Sequence, residues 1–452
     1  MLNSKKFFMV ALIAVLAIFS VLPALAQEPI EVQVWIAFTD ELRLGFAQEK
    51  AAEFNELHPE YNVVVQGYAN YEELFAATAL AAEQGTLPAI VQYFEVATQD
   101  ARDSGYFKSI AEALGDRTEV LGEPVNFDDF ISVVSAYYTL DGQWTSMPWN
   151  TSSAIMFSNN SFLEAAGVEA PPATWSEVAA ACEAIMALEN APEYCFTFPN
   201  HGWFFEQWLA QQNALYANND NGRAERATEV VFNSPEGVAI LNWLDEMQAA
   251  GYLYYSGAQG GDSWATVDQA FQAQQVAMAI YSSSDTGVYT QTGADNGFDV
   301  VASFLPYNDE VGYTGNLIGG ASLWLVNGLA TEVEEGALGF LLYLNNTENQ
   351  AVWASDITGY IPIRQSSIDL LTEQGFFDEN PNFTVAAEQL AQSEVTPATS
   401  GALLGAFPSI RNVVTAAVDR ALLTDDDNQA ILDEAVAEAN AILEEYNLLN
   451  AE

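Results

Sequence analysis

The sequence predicts an α/β protein of two lobes. Three observations carry that expectation. Strand and helix patterns alternate over residues 30–94, a second such series opens near Pro148, and neither an internal repeat nor a low-complexity linker separates them. Ile30, Val32, Val34 and Ile36 alternate with Glu31 and Gln33, the period of a half-buried strand. Thr39 and Asp40 can cap a following helix, where Leu42, Phe46, Phe54 and Leu57 share a face. Residues 61–66 read as a second strand, 70–84 as a second helix and 89–94 as a buried strand, so βαβ units on a parallel sheet are expected.

The second series begins with a short apolar strand over 153–157 and a helix over 160–166 that Gly167 stops. Pro171-Pro172 makes a rigid bend, and Thr174 caps a helix over 175–188. Glu177 stands three residues on, as a capping box requires. Helices over 203–215 and 234–250, a buried strand over 276–281, a strand over 317–326 carrying Gly319-Gly320 and a helix over 331–344 follow. A long helix after Asp427 aligns Leu432, Ala435, Val436, Ala439, Leu443 and Tyr446.

The 452 residues carry 62 acids, only 12 Lys plus Arg, and a formal charge of -50. The chain is poor in bases more than rich in acids, since its charged fraction is 16% against roughly 25% in an average domain. Nucleic acid, whose phosphates need a basic face, is excluded as a partner, and so is electrostatic binding to an anionic membrane surface. Half the residues are apolar, enough to bury a large core.

Lys5 and Lys6, an apolar run over 7–22, Pro23 and Ala24-Leu25-Ala26 read as a secretory signal peptide, residues 1–26. The alternative is a retained anchor, for which the run is short. Cleavage after Ala26 leaves ten cations and a charge of -52. Export to the periplasm or cell exterior puts Cys182 and Cys195 in an oxidising compartment. A local disulfide and two buried thiols both remain open.

Enzyme signatures are missing: there is no phosphate-binding P-loop, nucleophile elbow or zinc-protease helix. Two Cys and two His make no metal set, and no cofactor is expected. His58 reads as a helix-end surface residue, His201 as a candidate to line a cleft. Asp425-Asp426-Asp427 lacks the glycine and final glutamate of a calcium loop and reads as a turn and helix cap. Polar and aromatic residues do gather at strand and turn ends, notably Tyr71, Glu95, Ser152, Ser282 and Tyr360. Gly319-Gly320 is a possible anion nest. Arg411 stands out because cations are scarce; it is placed either for an anion or in a structural ion pair.

Ordered segments then carry a resemblance. They include Pro148-Trp149-Asn150-Thr151-Ser152, Pro171-Pro172-Ala173-Thr174-Trp175, Gly319-Gly320-Ala321-Ser322-Leu323-Trp324, Thr358-Gly359-Tyr360-Ile361-Pro362 and Ser409-Ile410-Arg411. Over nearly the whole mature chain they resemble the extracellular (periplasmic) solute-binding proteins of ABC importers, family 1, and within it the branch that captures glycerol phosphates. The resemblance implies a two-lobed periplasmic-binding-protein-like fold of type II with a ligand cleft between the lobes. One lobe is then expected at 27–147 plus 315–360 and the other at 148–314 plus 361–452. It implies a monomer that hands its ligand to membrane permease subunits and catalyses nothing. The implied ligand is sn-glycerol-3-phosphate or a glycerophosphodiester such as glycerophosphocholine, with a neutral sugar as the alternative and a secreted phosphodiester hydrolase as a second one. The implied site is Tyr71, Glu95, Ser152, Ser282, Gly320, Tyr360 and Arg411, with Trp203 as an aromatic wall. A second tryptophan expected just before Trp203 is replaced around Asn200-His201.

Overall fold

A computed structural model describes residues 28–450; the predicted signal peptide lies outside the described residues. Two mixed sheets organise the chain. In the first, the strands run Tyr61–Gly67, Ile30–Ile36, Ile90–Phe94, Gly319–Val326 and Phe107–Lys108, with Met147–Ser152 also paired to Gly319–Val326. The first three are parallel, as the βαβ pattern predicts. Gly319–Val326 enters antiparallel beside Ile90–Phe94, Phe107–Lys108 and Met147–Ser152, so the sheet is mixed. Strand Ile30–Ile36 alternates as the sequence implies: Val32, Val34 and Ile36 are buried, Glu31 and Gln33 exposed.

The second sheet runs Leu253–Tyr254, Tyr194–Thr197, Val276–Ser282, Ala154–Asn159 and Val300–Phe304. Its two central strands are buried along their whole length and antiparallel to each other. The first sheet keeps Met147–Ser152 and the second begins at Ala154, so the chain passes between lobes at Ser153. It returns between Phe304 and Gly319.

Helices cover both sheets. Thr174 caps Trp175–Met186, its hydroxyl accepting from Glu177 N at 3.2 Å, while Glu177 Oε2 accepts from Ala173 N at 2.8 Å. Cys182 on this helix and Cys195 on strand Tyr194–Thr197 form a disulfide with their Cα atoms 5.3 Å apart. Both residues are fully buried. A closed loop of this length restricts the unfolded chain by about 3 kcal/mol. Trp175 stacks on Trp243, centroids 4.8 Å apart, and anchors the same helix. Helix Gly202–Gln211 is buried at every position, shorter than the sequence pattern predicts because Gln212 and Asn213 turn back on it. Helices Phe407–Leu423 and Asn428–Leu449 close the second lobe, with Asp427 capping the latter through Ala430 N at 3.0 Å. No described helix is long and apolar enough to cross a membrane.

Candidate functional site

The sheets place their strand ends around one cleft of about 380 Å³, within the roughly 300–1,000 Å³ usual for small-molecule sites. All eight sequence-predicted residues line it: Tyr71, Glu95, Ser152, Trp203, Ser282, Gly320, Tyr360 and Arg411. Glu95 directly follows strand Ile90–Phe94, and Ser152 and Ser282 end their strands, one in each sheet. These positions share a rim because parallel and crossing strands of an α/β lobe deliver their ends to one side.

Tyr71 opens helix Tyr71–Gln84, which Asn70 caps through Glu73 N at 2.8 Å. Its ring stacks on Phe94, centroids 5.3 Å apart. A buried amide relay fixes its hydroxyl. Gln92 Oε1 accepts from Ala37 N at 2.6 Å, Gln92 Nε2 donates to Asn150 Oδ1 at 2.9 Å, and Asn150 Nδ2 donates to Tyr71 Oη at 2.8 Å. The phenol accepts, which leaves its own proton for another partner. Burial keeps that proton on, pushing the Tyr71 pKa well up. Tyr360 stacks on Trp353 at 5.8 Å, and Trp353 on Trp149 at 4.8 Å. Backbone bonds seat the Tyr360 segment between the sheets: Gly359 N donates to Ser284 O at 2.8 Å and Ile361 N to Thr151 O at 2.8 Å.

Gly319-Gly320 is not an anion nest in a turn, as its sequence allowed; it begins an extended strand, paired with Ser152 and Thr151. Gly320 has φ of 99°, and a Cβ there would lie 1.8 Å from Asn150 O, so only glycine fits. Gly319 is needed for a different reason: a Cβ would lie 2.4 Å from Trp203 Cζ2. Trp203 thus packs close against the strand, its Nε1 reaching Ile318 O at 3.4 Å.

Arg411 sits in the first turns of helix Phe407–Leu423 and is 4% exposed. The structural ion pair is present, and Arg411 also lines the cleft. Its Nε donates to Glu206 Oε1 at 2.7 Å and Nη2 to Glu206 Oε2 at 2.8 Å, while Nη2 also reaches Glu95 Oε1 at 2.8 Å. Among the described residues Nη1 and Glu95 Oε2 have no hydrogen-bond partner, yet neither is a sealed orphan atom. Burial works against the charge of Arg411, but Glu206 and Glu95 overcome it and raise its pKa. Burial raises the pKa of Glu95, with Arg411 opposing and Glu206 adding to the rise. Gly202 makes room beneath, since a Cβ there would lie 2.5 Å from Arg411 Cγ.

Sequence reasoning missed a second group in the cleft. Arg43, at the start of helix Arg43–Leu57, also lines it; Nη2 lies 3.1 Å from Asp285 Oδ1 and Nε 3.4 Å from Asp40 Oδ2. Trp264 and Asp268, both on helix Ser263–Gln272, complete the far wall. Trp264 meets Tyr281 edge-on at 4.9 Å and lies 6.4 Å from Trp203, occupying the aromatic side that the Asn200-His201 segment leaves without a second tryptophan. Asp268 accepts from the hydroxyls of Tyr281 and Tyr289 at 3.0 Å each, and burial pushes its pKa up to about 6. His201 does line the cleft, and its Nδ1 accepts from Trp203 N at 3.3 Å as a helix cap. Burial, then Arg411, push its pKa down to about 3, so it is neutral at physiological pH. Among the described residues no His, Cys, Asp and Glu cluster suits a metal ion.

Two lobes whose strand ends enclose a polar, aromatic-walled cleft define a solute-binding protein of the type II periplasmic-binding fold. The chain belongs to the bacterial extracellular solute-binding protein family, whose model matches residues 49–385. This family captures solutes outside the cytoplasm for import and is not catalytic. The sn-glycerol-3-phosphate-binding periplasmic protein UgpB of Salmonella paratyphi A is 31% identical over 405 residues, 88% of this chain and 89% of its own. The UgpB of Pectobacterium atrosepticum is 30% identical over 438 residues, 95% and 94% of the two chains. Among solved structures, UgpB from Mycobacterium tuberculosis in complex with glycerophosphocholine superposes with a TM-score of 0.75 at 19% identity, covering 93% of this chain and 99% of that one. The acarbose-binding GacH receptor of Streptomyces glaucescens gives 0.76 at 16% identity, covering 93% and 100%.

Proposed function

We propose that this protein captures a glycerophosphodiester, or sn-glycerol-3-phosphate, and delivers it to the permease of an ABC importer. The observation that carries this reading is the convergence on one cleft of the eight residues the resemblance names, with the unbonded Nη1 of Arg411 among them. Nη1 takes a phosphate oxygen as a charge-assisted donor. The hydroxyls of Ser152, Ser282, Tyr71 and Tyr360 supply neutral donors, and Glu95 Oε2 accepts from a glycerol hydroxyl. Trp203 walls the ligand. The lobes, divided near Ser153, between Phe304 and Gly319, and after Tyr360, close over it by hinge motion.

Charge favours the diester over the monoester. Arg411 already faces two carboxylates, and Arg43 faces Asp285 and Asp40. A dianion adds more repulsion to these clusters than a monoanion does. The alcohol of a diester meets Trp264, Tyr281 and Asp268, a wall suited to an amino-alcohol cation by ring quadrupole and carboxylate.

Calorimetric titration of the full chain with glycerophosphocholine, sn-glycerol-3-phosphate and maltose tests this reading. Binding of both phosphate compounds, the diester tighter, and none of maltose is expected. Binding of maltose alone overturns it.

A further inference from the structure

Of the ten described cations, nine stand within 4 Å of a carboxylate. Arg223 is the exception, in a chain with 62 acids. Its Nε donates to Gly401 O at 2.7 Å and its guanidinium lies 5.0 Å from the centre of the Tyr137 ring. Its Nη2 is buried without any hydrogen-bond partner. A sealed, unpaired donor on a cation is among the more costly features a fold can carry.

Arg223 lines a second cavity of about 550 Å³, away from the ligand cleft. Arg102 and Arg226 line it too, so three of the ten cations gather here. Arg102 pairs with Asp141 and Arg226 with Asp103; Glu225 is the remaining acid in the lining. Three cations therefore meet three carboxylates, in a chain where acids outnumber bases about fivefold. One wall (Arg102, Asp103, Asp141) comes from the first lobe and the other (Arg223, Arg226) from the second.

The backbone that presents Arg223 is unusual. Asn219, Asp220 and Asn221 have φ of 55°, 54° and 60°, and Gly222 has 76°, one left-handed turn. Asn and Asp tolerate this region better than other side chains, yet a run of three is held only by specific contacts. Asn221 pins it: Oδ1 accepts from the N–H groups of Tyr216 and Ala217 at 2.8 and 2.9 Å, and Nδ2 donates to Pro397 O at 3.0 Å. Gly222 packs so closely that a Cβ would lie 1.9 Å from Leu403 O. The turn explains how Arg223 is aimed; Nη2 is sealed from the cavity, so the guanidinium faces it through Nη1, which has no hydrogen-bond partner among the described residues and is not sealed.

We propose that this cavity is an oxyanion site, taking inorganic phosphate or an anion of like shape between the lobes, with Arg223 as its principal donor and Arg102 and Arg226 as flanking cations. An anion held from both walls favours the arrangement in which they face each other.

Equilibrium dialysis of the full chain with radiolabelled inorganic phosphate, at ionic strength held with chloride, tests the site. Arg223→Gln is expected to weaken one phosphate site by about tenfold or more, the effect of losing a charged donor. Arg102→Gln, which leaves the Tyr137 stack intact, is expected to weaken the same site by about threefold or more. Because Arg411 in the ligand cleft can bind phosphate separately, the site that the Arg223 substitution removes is decisive, whatever the total. An isotherm unchanged in both variants, or no phosphate bound by the wild type at millimolar concentration, overturns the proposal. Thermal unfolding in chloride alone confirms that each variant is folded before its isotherm is read.

Discussion

Arg43 and Asp285 meet across the ligand cleft, Nη2 to Oδ1 at 3.1 Å, one from each lobe and 242 positions apart in the chain. Ser284 Oγ donates to the other oxygen of Asp285 at 2.7 Å, which fixes the carboxylate. The pair holds only while the lobes face each other, so it acts as a latch. Asp285→Asn is expected to weaken ligand binding about three- to tenfold, the effect of about 1 kcal/mol for a partly exposed pair. The loss should shrink at high salt. Titration of both proteins at two ionic strengths checks this; equal affinities contradict a latch.

Arg411 carries a larger load. Arg411→Ala removes the phosphate donor and also leaves Glu206 and Glu95 buried without their cation. Ligand affinity is expected to fall at least tenfold, since a charged hydrogen bond contributes about 1.5–3 kcal/mol. Stability in urea is expected to fall by about 3–5 kcal/mol, the usual effect of breaking a buried pair from one side. Arg411→Lys should recover part of the stability and little of the affinity, because an ammonium cannot match the two-point contact with Glu206.

Binding should take up a proton. Burial already raises the Glu95 pKa, and an arriving anion beside it raises it further. Arg411 and Glu206 are the charged groups that face it, and His201 nearby is neutral. In an Asp268→Asn background, which removes the cleft carboxylate that titrates at about 6 beside the choline, affinity for glycerophosphocholine, whose phosphodiester does not titrate near neutral pH, is expected to rise as pH falls below neutral. Calorimetry of that variant in buffers of different ionisation enthalpy measures the uptake directly; buffer-independent enthalpy contradicts it.

Asp100 gives the fold its own pH dependence. Its Oδ1 accepts from Ala406 N at 3.3 Å across the lobes, while Oδ2 is buried without a partner. Burial pushes its pKa up to about 7, against about 3.9 unfolded. Between those values the folded state holds a proton that the unfolded state has released, so stability falls as pH rises from about 4 to about 7 and then levels off. Asp100→Asn keeps the acceptor and removes the titration. It is expected to be about 2–4 kcal/mol more stable than wild type at pH 8 and nearly equal at pH 4, by urea unfolding.

The two-lobed architecture was legible because period-2 strands and capped helices are local signals. Ile30–Ile36 and the Thr174 cap appear where the pattern puts them. The antiparallel entry of Gly319–Val326 was not legible, since strand order depends on which distant edge is free. Position at strand and turn ends marks Tyr71, Glu95, Ser152, Ser282 and Tyr360, and scarcity of cations marks Arg411, but only the resemblance assembles the eight into one site. Glu206 was invisible because helix Gly202–Gln211 is buried on every face, so no polar stripe marks an inward acid. Arg43 and Asp285 lie 242 positions apart, so no local pattern links them until the fold brings them together. Trp264, in the Gly260-Gly261-Asp262-Ser263-Trp264 segment, had no neighbouring pattern to mark it.

The crystal structure of the complex with glycerophosphocholine tests the central claim most directly. A phosphate oxygen within hydrogen-bonding distance of Arg411 Nη1, with the choline against Trp264 and the glycerol hydroxyls at Glu95, is the expected result. A phosphate seated on Arg43, with Arg411 bonded only to Glu206 and Glu95, would contradict it.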